Sequence, residues 1–390
     1  MRRTLATSFS GRDNAFNFMR LVFATAVIVG HARILGYGVP GAPLDLPIDL
    51  GGLSVSGFFA LSGFLITRSG RRTPFLRYWW HRILRIFPGY WVCLIVTAAI
   101  VSPILWWRLH GGLDGYLTAR PGPLGYLANN WSTDVVQPYI GDTLTGAHIH
   151  DINGSLWTLK YELACYVLIS ALAVFTVLRR MRFVVPALAL IGLAVIGYDF
   201  VHDPVHAGPL VPNGHSFTVP FAGHYLTLFV LIYTTAFLLG ASAEMFKEHV
   251  PVNDVLGAIS LVLVVAAVIA RLPILGPALI AYVYLLLWAG IRLPARLRRV
   301  GRTNDYSYGV YIYAFVVQQV LALAGVPRLG LAVYLGLSLL FTFAVALLSW
   351  HLVEKQALKL KDWSPSSFVT RLRVSRSPIQ PKVDTVTPPA

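Results

Sequence analysis

The chain has 390 residues, of which 56% are hydrophobic and only 13% are charged, and its mean hydropathy is +0.64. This composition excludes an ordinary soluble globular protein and indicates that the lipid bilayer surrounds most of the chain. The net charge of +15 would suit a nucleic-acid-binding protein, but in so apolar a chain basic cytoplasmic loops explain it more simply. We therefore expect the bilayer, and no nucleic acid, as a partner.

Apolar runs of membrane-spanning length recur along almost the whole sequence. They predict an all-α, polytopic membrane protein with a bundle of about ten transmembrane helices. The predicted helices cover residues 17–35, 50–67, 84–107, 154–178, 183–201, 222–244, 253–271, 274–291, 305–325 and 330–353. Residues 1–16 lack the pattern of a cleaved secretory signal and are expected to remain as a cytoplasmic segment.

The basic residues predict the orientation of this bundle. With both termini in the cytoplasm, 26 of the 32 Lys and Arg residues lie in or beside cytoplasmic segments, as the positive-inside rule requires. Residues 17–355 form the predicted membrane domain, and residues 356–390, rich in Pro, Ser and Arg, are predicted to be a disordered cytoplasmic tail. Two long outer segments, 108–152 and 202–221, are candidates to cover a substrate site.

The first predicted helix carries two ionisable residues, Arg20 and His31. Such residues are costly inside a bilayer and are functional candidates for that reason. Their spacing of eleven residues places them on one helix face, roughly 16 Å apart along the axis. An imidazole accepts a proton from a hydroxyl near neutral pH, so His31 is the predicted general base. The alternative is a packing role, in which His31 hydrogen-bonds a neighbouring helix.

The segment RYWWHRILRIFPGYW opens the third predicted helix. Arg82 and Arg85 lie three residues apart and therefore on one face. At the cytoplasmic mouth of a bundle, such a pair suits the phosphates of a nucleotide-bearing donor. The alternative is an interfacial belt in which arginines accompany Tyr78, Trp79 and Trp80.

The fourth predicted helix begins SLWTLKYELACY and places Lys160 and Glu162 inside the outer part of the membrane. Glu162 is a functional candidate that would orient His31 or bind acceptor hydroxyls, and the alternative is an ion pair with a nearby lysine. In the second helix, Gly57 and Gly63 flank Ser62 and predict close helix packing.

The remaining polar signals are weaker. His148, His150 and Asp151 in one outer segment, and His202 and His206 in another, resemble metal ligands only superficially and are read as solvated loop residues. Cys93 and Cys165 fall inside predicted spans and have no metal-like spacing. The sequence predicts no metal site. Two Asn-x-Ser sequons, at Asn130 and Asn153, arise often by chance.

Five motifs follow one another along nearly the whole chain. They are NFMRLVFATAVIVGHA, GFFALSGFLIT, RILRIFP, SLWTLKYE, and YSYGVYIYAF together with SWHLVEK. In this order they resemble the acyltransferase-3 family of integral-membrane acyltransferases, which O-acylate surface glycans and related acceptors. Three positions depart from the family pattern: Ala314 stands in place of a His, Gln356 in place of a Pro, and Ser56 in place of an Asp.

The resemblance implies a site and a pair of substrates. It assigns catalysis to His31 and Glu162, and binding of the donor to Arg20, Arg82 and Arg85. Trp157, Tyr161 and Ser62 are expected to bind the acceptor, a carbohydrate or glycoside. The implied donor is acyl-CoA, usually acetyl-CoA, acting as a co-substrate with no permanently bound cofactor, in a multi-pass protein of the cell (cytoplasmic) membrane.

Two other functional classes compete with this reading. One is a transporter or flippase for a lipid-linked glycan, which internal repeats would favour, and none is visible in the sequence. The other is a non-catalytic membrane scaffold, which would tolerate loss of every intramembrane charge. Within the acyltransferase reading, direct transfer and a covalent acyl-histidine step both fit the residues.

Overall fold

A computed structural model describes residues 3–11, 13–41, 49–202, 215–220, 222–270 and 278–362. Over these residues the chain is helical, apart from irregular connections and one antiparallel hairpin that pairs β1 with β2. The elements are α1 Leu5–Ser8, α2 Phe16–Tyr37, α3 Leu50–Arg72, α4 Phe75–Val96, α5 Ser102–His110, α6 Pro123–Asn129, α7 Thr158–Val174, α8 Val177–Arg180, α9 Val184–His202, β1 Ser216–Val219, β2 Gly223–Leu226, α10 Thr227–Met245, α11 Asp254–Ile269, α12 Leu279–Arg292, α13 Ala295–Arg298, α14 Ser307–Leu323, α15 Leu331–Ser349 and α16 Lys355–Lys359.

Several helices have the length and composition of membrane spans. In the described part of the chain, five helical stretches are long and apolar enough to cross a membrane, and they are Phe16–Tyr37, Leu50–Arg72, Phe75–His110, Thr227–Met245 and Leu331–Asp362. Shorter apolar helices accompany them at Val184–Asp199, Asp254–Ile269, Leu279–Arg292 and Ser307–Leu323. This confirms a helical protein with several membrane-spanning segments, the architecture that satisfies backbone hydrogen bonds in lipid.

Each predicted span contains a helix, but several helices begin or end at other residues than predicted. The third helix begins at Phe75 rather than residue 84, because its first turns carry arginines that lower the hydropathy. The helix predicted from residue 222 begins at Thr227, since the hairpin strand Gly223–Leu226 occupies the start. Helical backbone also continues through Asp362, past the predicted domain boundary at residue 355. Residues 363–390 of the predicted tail 356–390, and most of segment 202–221, lie outside the described residues.

Helix α3 lies at the centre of the bundle, packed against α2, α7, α10 and α12. Its contact with α10 depends on two glycines. A Cβ atom at Gly63 would lie 1.9 Å from the Phe237 carbonyl oxygen, and one at Gly240 would lie 2.0 Å from the Ala60 carbonyl oxygen. The two backbones therefore touch, as expected for small residues between membrane helices.

This contact gives a stability prediction. Gly63→Ala would force the α3 and α10 backbones apart. We expect this overpacking to lower the free energy of unfolding by about 1–3 kcal/mol. The measurement is the thermal unfolding midpoint of the purified protein in detergent. Gly336→Ala is the matched control, because a Cβ atom there meets nothing within 4 Å and alanine favours a helix. An unchanged midpoint for Gly63→Ala would contradict the packing described.

Segment 108–152, between α5 and α7, packs against the helices of the bundle. The Asn130 side chain is fully buried, and its Oδ1 accepts hydrogen bonds from the backbone N–H groups of Val136 and Gln137, both at 2.9 Å. Asn153 is also buried and donates to the Ile312 carbonyl at 2.9 Å. Both sequon asparagines therefore have structural roles, and their segment reaches the cavity described next.

Candidate active site

His31 lines an open cavity of about 490 Å³, called here the His31 cavity. The imidazole packs edge-on against Phe315, with ring centroids 5.3 Å apart. Its buried Nδ1 atom has no hydrogen-bond partner within the described residues. The His31 side chain as a whole is partly exposed, so a ligand in a cavity of this size can contact its ring.

Two carboxylates share the His31 cavity, Asp49 and Asp151. Asp49 caps the N-terminus of α3, where its Oδ1 accepts a hydrogen bond from the Gly52 N–H at 3.0 Å. Burial raises the pKa of Asp49 above its usual range, although the N–H groups of Gly52 and Gly51 oppose the shift. Burial likewise raises the pKa of Asp151. Desolvated carboxylates of this kind gain most from hydroxyl donors of a bound ligand.

An aromatic wall closes the side of the His31 cavity that α7 and α10 form. Trp157 and Tyr233 line the cavity, and Trp157 packs on Phe229 with ring centroids 4.6 Å apart. Tyr161 lies behind Trp157, at a centroid distance of 5.6 Å, and its hydroxyl accepts a hydrogen bond from the Leu226 N–H at 3.0 Å. Of the three predicted acceptor-binding residues, Trp157 lines the cavity, Tyr161 supports Trp157 and the hairpin, and Ser62 lies elsewhere, as described next.

Arg20 and Glu162 line a second, smaller cavity of about 40 Å³, called here the Arg20 cavity. Glu162 accepts hydrogen bonds from Ser62 Oγ at 3.3 Å and from the Tyr166 hydroxyl. Lys160 pairs instead with Asp134, at 2.7 Å. The structure therefore joins the predicted residues Ser62 and Glu162, and places Glu162 in a different cavity from His31 rather than beside it.

The three predicted donor-binding arginines separate into a pair and a single residue. Arg85 Nη2 donates to Asp305 Oδ2 at 2.6 Å, and Arg20 Nη1 lies 3.7 Å from the same oxygen. Asp305 also fixes the start of α14, because its Oδ1 accepts from Ser307 Oγ at 2.6 Å. One carboxylate, whose side chain is 14% exposed, thus holds Arg20 and Arg85 together.

Arg82 is different. Its guanidinium lies over the rings of Tyr78 and Tyr166, with 5.7 Å to each centroid. Its buried Nε atom has no hydrogen-bond partner in the described part of the chain. The Arg82 side chain as a whole is partly exposed, and a guanidinium that rests on aromatic faces can present its terminal N–H groups to an added anion.

Sequence reasoning missed three acidic residues of these sites: Asp49, Asp151 and Asp305. Asp151 was noted only as a poor metal ligand. Acidic residues are scarce in this sequence, since the whole chain holds 17 Asp and Glu residues. An acidic side chain next to a predicted span is therefore a candidate for a site. Among the described residues, no group of three or more His, Cys, Asp or Glu side chains is placed to hold a metal ion. His206 of the second histidine pair lies outside those residues.

Known proteins are similar to this chain over nearly its whole length. The family model Acyl_transf_3, described as an acyltransferase domain, matches residues 13–351. An "O-acetyl transferase" of Shigella phage Sf6 is 30% identical over 360 residues, which cover 89% of this chain and 96% of the relative. "Nodulation protein 10" of Rhizobium leguminosarum bv. viciae is 28% identical over 371 residues, which cover 90% and 95%. No solved structure matches the chain.

Proposed function

Since the chain belongs to the acyltransferase-3 family of membrane acyltransferases, we propose that it transfers an acyl group from acyl-CoA to a hydroxyl of a carbohydrate or glycoside. One observation carries the proposal. Arg20 and His31 lie on the same helix and line two cavities that share wall residues. A donor entering at the arginines can therefore meet an acceptor at the histidine. The similarity to a protein named O-acetyl transferase supports oxygen as the acceptor atom.

The His31 cavity suits a carbohydrate. Its two carboxylates, Asp49 and Asp151, accept hydrogen bonds from sugar hydroxyls, and the rings of Trp157 and Tyr233 offer apolar faces for the sugar ring. The volume of about 490 Å³ is in the range of small-ligand sites. We assign this cavity to the acceptor.

The arginines suit acyl-CoA. Phosphate oxygens match the planar donors of a guanidinium, and Arg82 offers a buried Nε atom without a partner. Arg20 and Arg85 already share Asp305, so phosphates of the donor would compete with that carboxylate for them. We assign first contact with the donor to Arg82, and a supporting role to Arg20 and Arg85.

The reaction is a direct transfer in which His31 is the general base. The imidazole takes the proton of the acceptor hydroxyl, whose oxygen forms a bond to the thioester carbonyl carbon. The carbon–sulfur bond then breaks, and the proton passes from His31 to the thiolate of CoA. The hydroxyls of Thr158 and Tyr311 form a hydrogen bond of 2.6 Å where the two cavities meet. When Thr158 donates in this bond, the O–H of Tyr311 is left to donate to the carbonyl oxygen as it gains charge.

The proposal includes the membrane arrangement. The chain crosses the cell membrane about ten times with both termini in the cytoplasm, because this orientation keeps most Lys and Arg residues on the cytoplasmic side. The arginine cluster then faces cytoplasmic acyl-CoA, and the His31 cavity lies toward the outer surface, where a glycan acceptor arrives.

The test is mass spectrometry of surface glycans and secreted glycosides from cells with and without the gene. We expect the deletion to remove an ester, of acetyl mass for an acetyl donor, and the wild-type gene to restore it. The glycan fraction that loses the ester then serves as the acceptor for enzyme assays. If the deletion changes where a glycan accumulates but leaves its esters intact, the chain is a transporter or flippase and the proposal is wrong.

A further inference from the structure

A cavity of about 220 Å³ lies between the end of α3, the start of α4, the end of α7 and α8, and it is called here the Arg71 cavity. Among the described residues, it shares no lining residue with the His31 cavity or the Arg20 cavity. Arg71 and Arg179 line it, together with the hydroxyl-bearing residues Thr73, Ser170 and Thr176. Guanidinium groups and hydroxyls donate hydrogen bonds, and phosphate oxygens accept them. The cavity is therefore suited to a phosphate group.

The two arginines of the Arg71 cavity have no carboxylate beside them on its described walls. The sequence contains no Asp or Glu from residue 50 to residue 113 or from residue 163 to residue 198, and the residues that line the cavity lie within these segments. Arg179 Nη2 donates to the backbone carbonyl oxygen of Arg71 at 3.3 Å, which is a neutral partner. The positive charge of the two side chains thus favours an anionic ligand.

The rim of the Arg71 cavity is apolar and exposed. Phe75 and Val174 line the cavity, and they are 51% and 57% exposed. Leu76 and Phe175, next to them in the chain, are 80% and 75% exposed. In a membrane protein, large apolar side chains of this kind lie against lipid tails. The cavity therefore joins cations to a surface that faces lipid.

Thr176 places a strained backbone at this cavity. Its φ is 58°, and in the described part of the chain no other non-glycine residue has a positive φ. A β-branched residue is rare in this region, and strain of this kind recurs at ligand sites. The turn at Thr176 leads from α7, which ends at Val174, into α8, which begins at Val177. It thereby brings Arg179 to the cavity wall.

We propose that the Arg71 cavity binds the headgroup of an anionic membrane phospholipid. Arg71 and Arg179 then contact the phosphate, and the acyl chains lie along Phe75 and Val174. The volume of the cavity is below the usual range of sites that enclose a whole small ligand, so it encloses the headgroup and leaves the chains in the bilayer. Basic pockets between membrane helices bind such headgroups. A soluble phosphate compound would make no use of the apolar rim, and the site is therefore assigned to a lipid.

The experiment titrates the full-length protein, purified in detergent, with dioleoyl-phosphatidylglycerol or dioleoyl-phosphatidylcholine and follows binding of the first lipid by native mass spectrometry. We expect wild-type protein to bind phosphatidylglycerol at least about tenfold more tightly than phosphatidylcholine. The Arg71→Ala, Arg179→Ala double variant should lose about tenfold or more of the affinity for phosphatidylglycerol, because it loses charge-assisted hydrogen bonds. Arg179→Glu, a single change at an exposed position, should weaken binding as much and serves if the double variant fails to fold.

The matched control is the Arg296→Ala, Arg299→Ala double variant, which removes two exposed arginines in and beside α13. It should keep the wild-type affinity, because these arginines do not line the cavity. Equal binding of the two lipids by wild-type protein would overturn the proposal, as would unchanged affinity in both the Arg71 and Arg179 variants or an equal loss in the control. Displacement of phosphatidylglycerol by inorganic phosphate or acetyl-CoA would show a site for a soluble phosphate and also overturn it. Because the assay measures lipid binding alone, its outcome does not depend on the proposed acyl transfer.

Discussion

Replacing His31 with alanine is expected to lower kcat for acyl transfer by about 10²- to 10⁴-fold, the usual contribution of a general base. The imidazole lines the His31 cavity, and its Nδ1 has no partner in the described part of the chain. The KM for acyl-CoA should change little, because Arg20 lies roughly 16 Å away along α2, and Arg82 and Arg85 lie on another helix, α4. The measurement is steady-state release of CoA by purified protein in liposomes with the glycan acceptor.

A glutamine at position 31 separates catalysis from packing. Glutamine retains hydrogen-bonding groups for a neighbouring helix but cannot accept a proton near neutral pH. A packing residue would be rescued by His31→Gln, whereas a general base would not. His110→Ala is a suitable histidine control, since this side chain stacks on Trp106 with ring centroids 4.0 Å apart. Normal turnover by His31→Ala protein would refute the general-base assignment.

The helical architecture follows from hydropathy where a span is apolar throughout. The second helix was predicted from residue 50 and begins at Leu50. The prediction failed where interactions of charged side chains decide at which residue a helix begins. Helix α4 starts at Phe75 with Arg77 and Arg82 in its first turns, because these cations find an acidic partner, Asp362 for Arg77, or aromatic faces for Arg82. A hydropathy average over this segment includes the charges of the arginines, but it does not include the partners that stabilise them in the fold.

The candidate site, too, could be predicted from the sequence only in part. The common face of Arg20 and His31 follows from helix geometry alone, and the structure places both on cavities. The pairing of Arg85 with Asp305 joins residues 220 positions apart, which one sequence without tertiary contacts cannot indicate. Glu162 shows the same limit, because its partner Ser62 lies 100 positions away. Local periodicity thus finds the helix faces, and long-range packing decides which faces meet.

The ion pairs of Asp305 decide which of the three arginines gives the clearest test of donor binding. Removing Arg85 would leave Asp305 with Arg20 alone at 3.7 Å, and a buried carboxylate that loses its best partner is costly. A defect in an Arg85 variant would therefore mix lost donor binding with lost stability. Arg82 has no such pairing at its Nε atom, so its replacement tests donor binding more cleanly.

We expect Arg82→Ala to raise the KM for acyl-CoA by about 10- to 100-fold, because a charge-assisted hydrogen bond contributes about 1.5–3 kcal/mol and each 1.4 kcal/mol is tenfold. The kcat at saturating donor should stay within about threefold. The control is Arg77→Ala on the same helix, whose side chain is 55% exposed and pairs with Asp362 at 2.6 Å.

Equal donor affinity in the Arg82→Ala, Arg85→Ala double variant and the wild type would reduce both residues to markers of membrane topology. An equal rise in KM for Arg77→Ala would instead show that donor binding depends only on the total positive charge of the arginines near the start of α4. Because screening by salt weakens exposed charges far more than buried ones, repeating the measurement at high ionic strength distinguishes these cases. A KM defect of Arg82→Ala that persists in high salt is the result expected of a direct phosphate contact.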